Sequence, residues 1–70
     1  MRFRGPIVVA RRRLPLYDLT VGLSRTGCVV AFVRPHTPLG RVLSVGQVNT
    51  TADRLARATI GRRLQHLTIR

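Results

Sequence analysis

Few side chains here have the chemistry of a catalyst. Cys28 and His36 form the one pairing that offers a nucleophile and a base. Cys28, however, sits inside the β-branched run CVVAFV, where a lone cysteine reads as a small core residue. The acids are Asp18 and Asp53 alone, and lysine and glutamate are absent. With no third carboxylate there is no metal cage. One cysteine and two distant histidines, His36 and His66, do not make the four-ligand set that zinc usually takes. Asp53 reads as a carboxylate in the first turn of a helix, and Asp18 as an arginine partner on the polar side of a strand. The stretch GLSRTG has neither the lysine nor the spacing of a phosphate-binding P-loop. The expectation is a protein that is not an enzyme and uses no metal or cofactor.

The cations are the functional candidates. Thirteen basic residues face two acidic ones, for a net charge of +11 on 70 residues, and all thirteen are arginine. A GC-rich coding bias explains arginine over lysine but not the scarcity of acids. Guanidinium groups grip phosphate in two places and stack on bases. Such an excess repels itself until a polyanion neutralises it. Nucleic acid is therefore the expected partner, ahead of an anionic membrane or an acidic protein. Size argues the same way. A domain of about 60 residues buries only about 60% of the surface its unfolded chain exposes, and a single cysteine provides no internal disulfide. A partner is expected to supply part of the stability. No segment approaches the roughly 18 apolar residues of a membrane span. The arginine-rich, acid-free start MRFRGPIVVARRR has a targeting flavour, but PIVVA is β-branched and reads as a folded first strand.

The elements that must position these cations follow from periodicity. Gly5 to Ala10 reads as a strand whose apolar residues do not alternate, which predicts that both of its faces are covered. Arg11, Arg12 and Arg13 then fall in a loop. Leu14 to Leu23 alternates: Tyr17, Leu19, Val21 and Leu23 on a core face, Asp18 and Thr20 on a polar one. Ser24 to Gly27 is turn chemistry and carries Arg25 at the other end of that strand. Cys28 to Val33 is a third strand, making a hairpin with the second, and RPHTPLG ends it. Tyr17 reads as core. With only three aromatic residues, a base-stacking platform is not expected. Near the C-terminus the period changes. Thr50 or Thr51 suits an N-cap, and Leu55, Ala56, Thr59, Ile60, Leu64 and Leu67 form one helical stripe. Arg54, Arg57, Arg62 and Gln65 fall mainly on the other side. Gly61 weakens the last turns by about 1 kcal/mol relative to alanine. The pattern leaves Arg41 to Val48 open between loop and helical turn. The fold class is α+β, a small antiparallel-rich or mixed sheet of three to four strands with a C-terminal helix.

On these residues the chain resembles the bacterial small-subunit ribosomal protein S16 family. LPLYDLTVGLSR is similar to that family's segment from proline and tyrosine through a valine-rich strand to Ser-Arg, at Pro15, Tyr17, Val21, Ser24 and Arg25. Upstream, Ile7, Ala10 and Arg11 match its first strand and basic loop, the loop being a few residues shorter. Downstream, Gly27 to Pro38 has the length of the next strand. Val45, Gly46, Thr50, Arg54 and Leu55 match a Val-Gly-x-x-x-Thr-x-x-x-Arg-Leu pattern. Two departures stand out. Pro35, His36 and Thr37 replace an aromatic pair and an asparagine, and only LGRVLS spans a region where the family has a longer insert and a helix.

The resemblance implies one S16-like domain over residues 1–70, an α+β fold, and no catalysis. It implies a structural constituent of the small ribosomal subunit that binds and stabilises the 5′ domain of small-subunit ribosomal RNA during assembly and translation. The implied RNA contacts, from the resemblance and the charge together, are Arg4, Arg11, Arg12, Arg13, Ser24, Arg25, Arg34, His36 and Arg54. The partners would be that RNA and neighbouring small-subunit proteins, with no membrane and no homo-oligomer. The lysine-free composition and short length suggest the mitochondrial matrix, with the bacterial cytoplasm as the alternative. The rival of another class is a free basic regulator of nucleic acid, for which Asn and Gln are few. A membrane-surface cationic peptide would need bulkier residues than Ala, Thr and Gly on its helix face.

Overall fold

The computed structural model describes residues 5–36 and 44–69. In chain order the elements are β1 (Ile7–Arg13), β2 (Tyr17–Leu23), β3 (Val29–Pro35), α1 (Val45–Thr59) and β4 (His66–Ile69). The strands form one sheet in that same order. β1 and β2 run antiparallel, as do β2 and β3, while β4 lies parallel to β3. A parallel neighbour needs a long crossover, and α1 with its flanking segments provides it. The class is α+β with a mixed sheet, as the sequence leads one to expect.

The core lies between one face of the sheet and the helix. Tyr17, Leu19 and Val21 of β2 are buried, and so are Val29, Ala31 and Val33 of β3. The pairing Leu19↔Val33 and Val21↔Ala31 puts these side by side on one face. From α1, Val48, Ala52 and Ala56 meet them at four-residue spacing. Two of those three are alanine, which lets the helix sit close to the sheet. Leu14, Leu23, Leu55, Ile60, Leu64 and Leu67 close the rim. Each turn is fixed by local bonds. Between β2 and β3, the Ser24 hydroxyl accepts from the Cys28 N–H at 3.0 Å, and Gly27 takes φ = +86°, a conformation that favours glycine. At β4, the side-chain oxygen of Gln65 accepts from the Val29 N–H and its own N–H donates to the Val29 carbonyl, both at 2.9 Å.

Four expectations are corrected. First, β1 runs to Arg13, so Arg11, Arg12 and Arg13 belong to a strand and not to a loop. Its faces are not both covered: β1 is an edge strand, and Ile7, Val8 and Val9 are 67%, 48% and 40% exposed. Second, α1 begins at Val45 with Ser44 as N-cap, its hydroxyl accepting from the Gln47 N–H. Thr50 and Thr51 are inside the helix, where their hydroxyls donate to the carbonyls of Gly46 and Gln47, each at 3.0 Å. Of the undecided segment, Val45 to Val48 is helical, and residues 41–43 lie outside those described. Third, Asp53 is not in the first turn. It accepts from the Leu64 N–H (2.7 Å) and from Arg57 Nε (2.9 Å), clamping the segment that follows the helix. Fourth, Gly61 ends the helix and does not weaken its interior. At φ = +79° its N–H reaches back to the carbonyls of Ala56 and Arg57. Leu64 and Leu67 therefore leave the helical stripe; Leu67 lies in β4 and packs on the same core from the sheet.

Candidate nucleic-acid interface

The helix covers one face of the sheet. The residues between the core positions point to the other, and strand pairing sets them in rows. Arg13 of β1, Asp18 of β2 and Arg34 of β3 make one row. Arg11, Thr20, Phe32 and Thr68 make the next, across all four strands. Val8, Gly22, Val30 and His66 make the third. Neighbouring residues in a row lie about one strand spacing apart, 4.7–4.9 Å, and adjacent rows about 7 Å apart.

The alignment depends on an irregularity in β1. The pairing jumps from Val8↔Gly22 to Ala10↔Val21, leaving Val9 as the extra residue of a bulge. Beyond it, Arg11 lies opposite Thr20 and Arg13 opposite Asp18, on the face away from the helix. Gly22 makes room for the bulge: a Cβ there would collide with the Ile7 carbonyl oxygen. Arg12, opposite Leu19, belongs to the helix side of this edge, and its guanidinium donates to the Arg11 carbonyl at 3.0 Å.

The rows border an open cavity of about 690 Å³, lined by Arg11, Arg12, Arg13, Asp18, Thr20, Phe32 and Arg34 among others. At its end, His36 Nε2 donates to Asp18 Oδ1 at 2.8 Å, and Nδ1 faces the Pro15 carbonyl at 3.3 Å. The hydrogen bond from His36 holds the Asp18 carboxyl below its ordinary value of 3.8. Partial desolvation acts the other way, and the charges of His36, Arg13 and Arg34 reinforce the lowering. Asp18 was expected to partner an arginine; its direct bond is to His36, with Arg13 and Arg34 flanking it in the row.

The remaining candidates lie elsewhere. Ser24 is occupied in its own turn, bonded to Cys28 and Thr26. It holds the loop that carries Arg25, about 20 Å along β2 from the Arg13 row. Arg62, which the sequence pattern placed on the helix, crosses to the same turn and donates to the Gly27 carbonyl at 2.7 Å. Arg54 lies on the helix layer, beside a shallow cleft with Tyr17, Gln47 and Thr51. Arg4 is outside the described residues. The structure thus joins Arg11, Arg13, Arg34 and His36, with Arg12 also lining the cavity, and separates Arg25 and Arg54 from them. Phe32, Thr68 and His66 were missed as members of this face. CVVAFV is apolar at every position, so no polarity pattern reveals which side Phe32 takes.

Cys28 and His36 lie at opposite ends of β3, about 25 Å apart along an extended strand, too far to act together. Among the described residues no cluster of three or more His, Cys, Asp or Glu could hold a metal, and no helix is long and apolar enough to cross a membrane. The chain matches no family model, no curated protein and no solved structure.

Proposed function

We propose that this protein is a structural RNA-binding protein of the S16 type. In this reading it is a constituent of the small ribosomal subunit that binds and stabilises the 5′ domain of small-subunit ribosomal RNA during assembly and translation. The observation that carries the RNA-binding part is the distribution of charge. Both carboxylates are already bonded to basic side chains of the same chain, Asp18 to His36 and Asp53 to Arg57. The large cationic excess is left for an external anion, and strand pairing aligns Arg11, Arg13 and Arg34 on a face that the helix leaves uncovered. A phosphate backbone is the polyanion that guanidinium groups on a rigid sheet suit best.

The ribosomal setting is supported by the resemblance of residues 15–25 and 45–55 to the S16 segments described above. Neighbouring small-subunit proteins are the further partners in this reading, and the protein acts as a single copy. The arginine-only basicity favours a mitochondrial ribosome, with the bacterial cytoplasm as the alternative setting. Sedimentation of a lysate through a high-salt gradient tests the proposal. Co-migration of the tagged protein with small subunits is expected. Recovery only at the top of the gradient overturns the ribosomal assignment.

A further inference from the structure

We infer that the chain has a second phosphate-binding site, built from Arg25, Arg62 and Arg63 at the far end of the sheet from the Arg13 and Arg34 row, and that one copy thereby joins two RNA segments. This inference rests on the RNA-binding reading and adds how many segments the protein holds.

Two stretches far apart in sequence meet at this end. Ser24 to Gly27 is a tight turn, in which the Gly27 N–H donates to the Ser24 carbonyl at 3.0 Å and the Ser24 and Thr26 hydroxyls bond each other. Such a turn spans less than about 7 Å, and Arg25 is exposed within it. The connection from α1 to β4 is fastened against the same turn. Arg62 Nη2 donates to the Gly27 carbonyl at 2.7 Å. Asp53 holds the Leu64 N–H, and Gln65 is bonded to Val29 in both directions. Arg63 is therefore flanked by two anchored residues. Arg62 and Arg63 border one open cleft of about 580 Å³ and both are exposed. A backbone fixed before the ligand arrives loses little freedom on binding.

The charge at this end is unbalanced. The partner of Arg62 is a neutral carbonyl, so its charge persists. Arg25 and Arg63 make no hydrogen bond or ion pair among the described residues. Asp53 feels the charge of Arg63, yet its oxygens are taken by Arg57 and the Leu64 N–H. Asp18 lies at the opposite end of β2, bonded to His36. Folding thus gathers guanidinium groups where neither carboxylate is left to pair with them, a repulsion that an external anion relieves. Phosphate suits their planar, two-pronged donors. The two sites do not share a surface. Arg11, Arg13 and Arg34 lie on the sheet face away from the helix, whereas Arg62 and Arg63 belong to the connection leaving the helix layer. A single RNA segment would have to turn over the end of the sheet to reach both. The separation of about 20 Å along β2 is more than twice the Debye length of about 8 Å at physiological salt, so two bound segments scarcely repel each other.

The test uses the full chain and a short RNA hairpin, too stiff to wrap the sheet end, labelled in separate batches with a donor and an acceptor dye. Sedimentation equilibrium with excess hairpin should count two hairpins on one protein, with energy transfer between the dyes. Arg25→Ala with Arg63→Ala should lower the count to one and abolish transfer, while the remaining step keeps its affinity within about 2-fold, as for independent sites. Arg11→Ala with Arg34→Ala should do the same from the other side. Each alanine should reduce the log–log salt slope of its own step by about 0.9, the value for one duplex phosphate contact. Circular dichroism verifies that the variants fold, and the count in the unaltered protein needs no variant. One hairpin per unaltered protein overturns the second site while leaving the RNA reading intact. So does a count of two in the Arg25 and Arg63 variant. Failure to bind the hairpin at all overturns the RNA reading itself.

Discussion

Asp18 and Asp53 have in common that each is bonded within the chain, and each consequence can be measured at a single position. The Asp53 carboxyl is held below 3.8 first by the Leu64 N–H, with desolvation opposing, and then by the bond and charge of Arg57 and the charge of Arg63. Its pKa is lower in the fold than in the unfolded chain, so on acidification the unfolded chain takes up the proton first. The clamp's contribution is present in full above 3.8 and is lost as pH falls through the lower folded value. Asp53→Asn should therefore flatten the fall of the thermal midpoint below that pH, while Asp18, lowered in the same sense, leaves a residual slope. An unchanged acid profile would show that the clamp does not form. The arginines predict differently. Alanine at Arg11, Arg13 or Arg34 should each reduce the log–log salt slope of binding to an RNA strand by about 0.7, the value for one phosphate contact. Arg57→Ala should leave the slope unchanged, because that guanidinium is bonded to Asp53. Equal effects at all four would show a diffuse charge with no preferred face.

At the scale of elements, β2 is the part that the sequence states most plainly. Tyr17, Leu19 and Val21 alternate with Asp18 and Thr20, and Leu19 is 1% exposed in the fold. Leu19→Ala should cost about 2–5 kcal/mol, as for other buried leucines, measured by denaturant midpoint in the presence of RNA. A loss under about 1 kcal/mol would remove Leu19 from the core. The helix was less legible because its start carries conflicting signals. Thr50 and Thr51 have cap-forming side chains, yet they bond backward inside the helix, and the true cap is Ser44. β4 was hidden for a related reason. Leu64 and Leu67 continue the helical spacing, so periodicity carries the reader past Gly61, although a glycine at that place also reads as a helix stop. The basic character of the site was plain from composition. Its location was not, because which arginines share a face depends on strand pairing, and the notch at Gly22 that admits the bulge leaves no mark in a hydropathy pattern.

Among the described residues, one thin layer of core lies between a four-stranded sheet and a single helix, and the chain carries a strong cationic excess. β1 and β4 are edges, and β4 has only four residues. Self-repulsion lowers the stability of the free fold, and on the proposed function bound RNA would relieve that repulsion. The free protein at low salt should show reduced helix content, with α1 and β4 opening before the β2–β3 hairpin. RNA should restore protection of these segments and saturate with concentration. Circular dichroism with hydrogen exchange, before and after adding an RNA strand, measures this. Cooperative melting of the free chain above about 65 °C would show that the fold needs no partner.

The bulge at Val9 gives the sheet a parity. Side chains alternate along a strand, so a single extra residue exchanges the odd and even members of everything beyond it. With Val9 bulged, the run Arg11-Arg12-Arg13 puts its two outer members on the face away from the helix and its middle one on the other. Pairing Val9 regularly, without the bulge, would shift the phase by one. It would show Arg12 alone on that face and turn Arg11 and Arg13 toward the helix layer. The chain would keep all its arginines and its net charge, yet that face would have lost a cation. The electrostatic character of that surface is encoded in the counting of residues along β1 as much as in which residues they are.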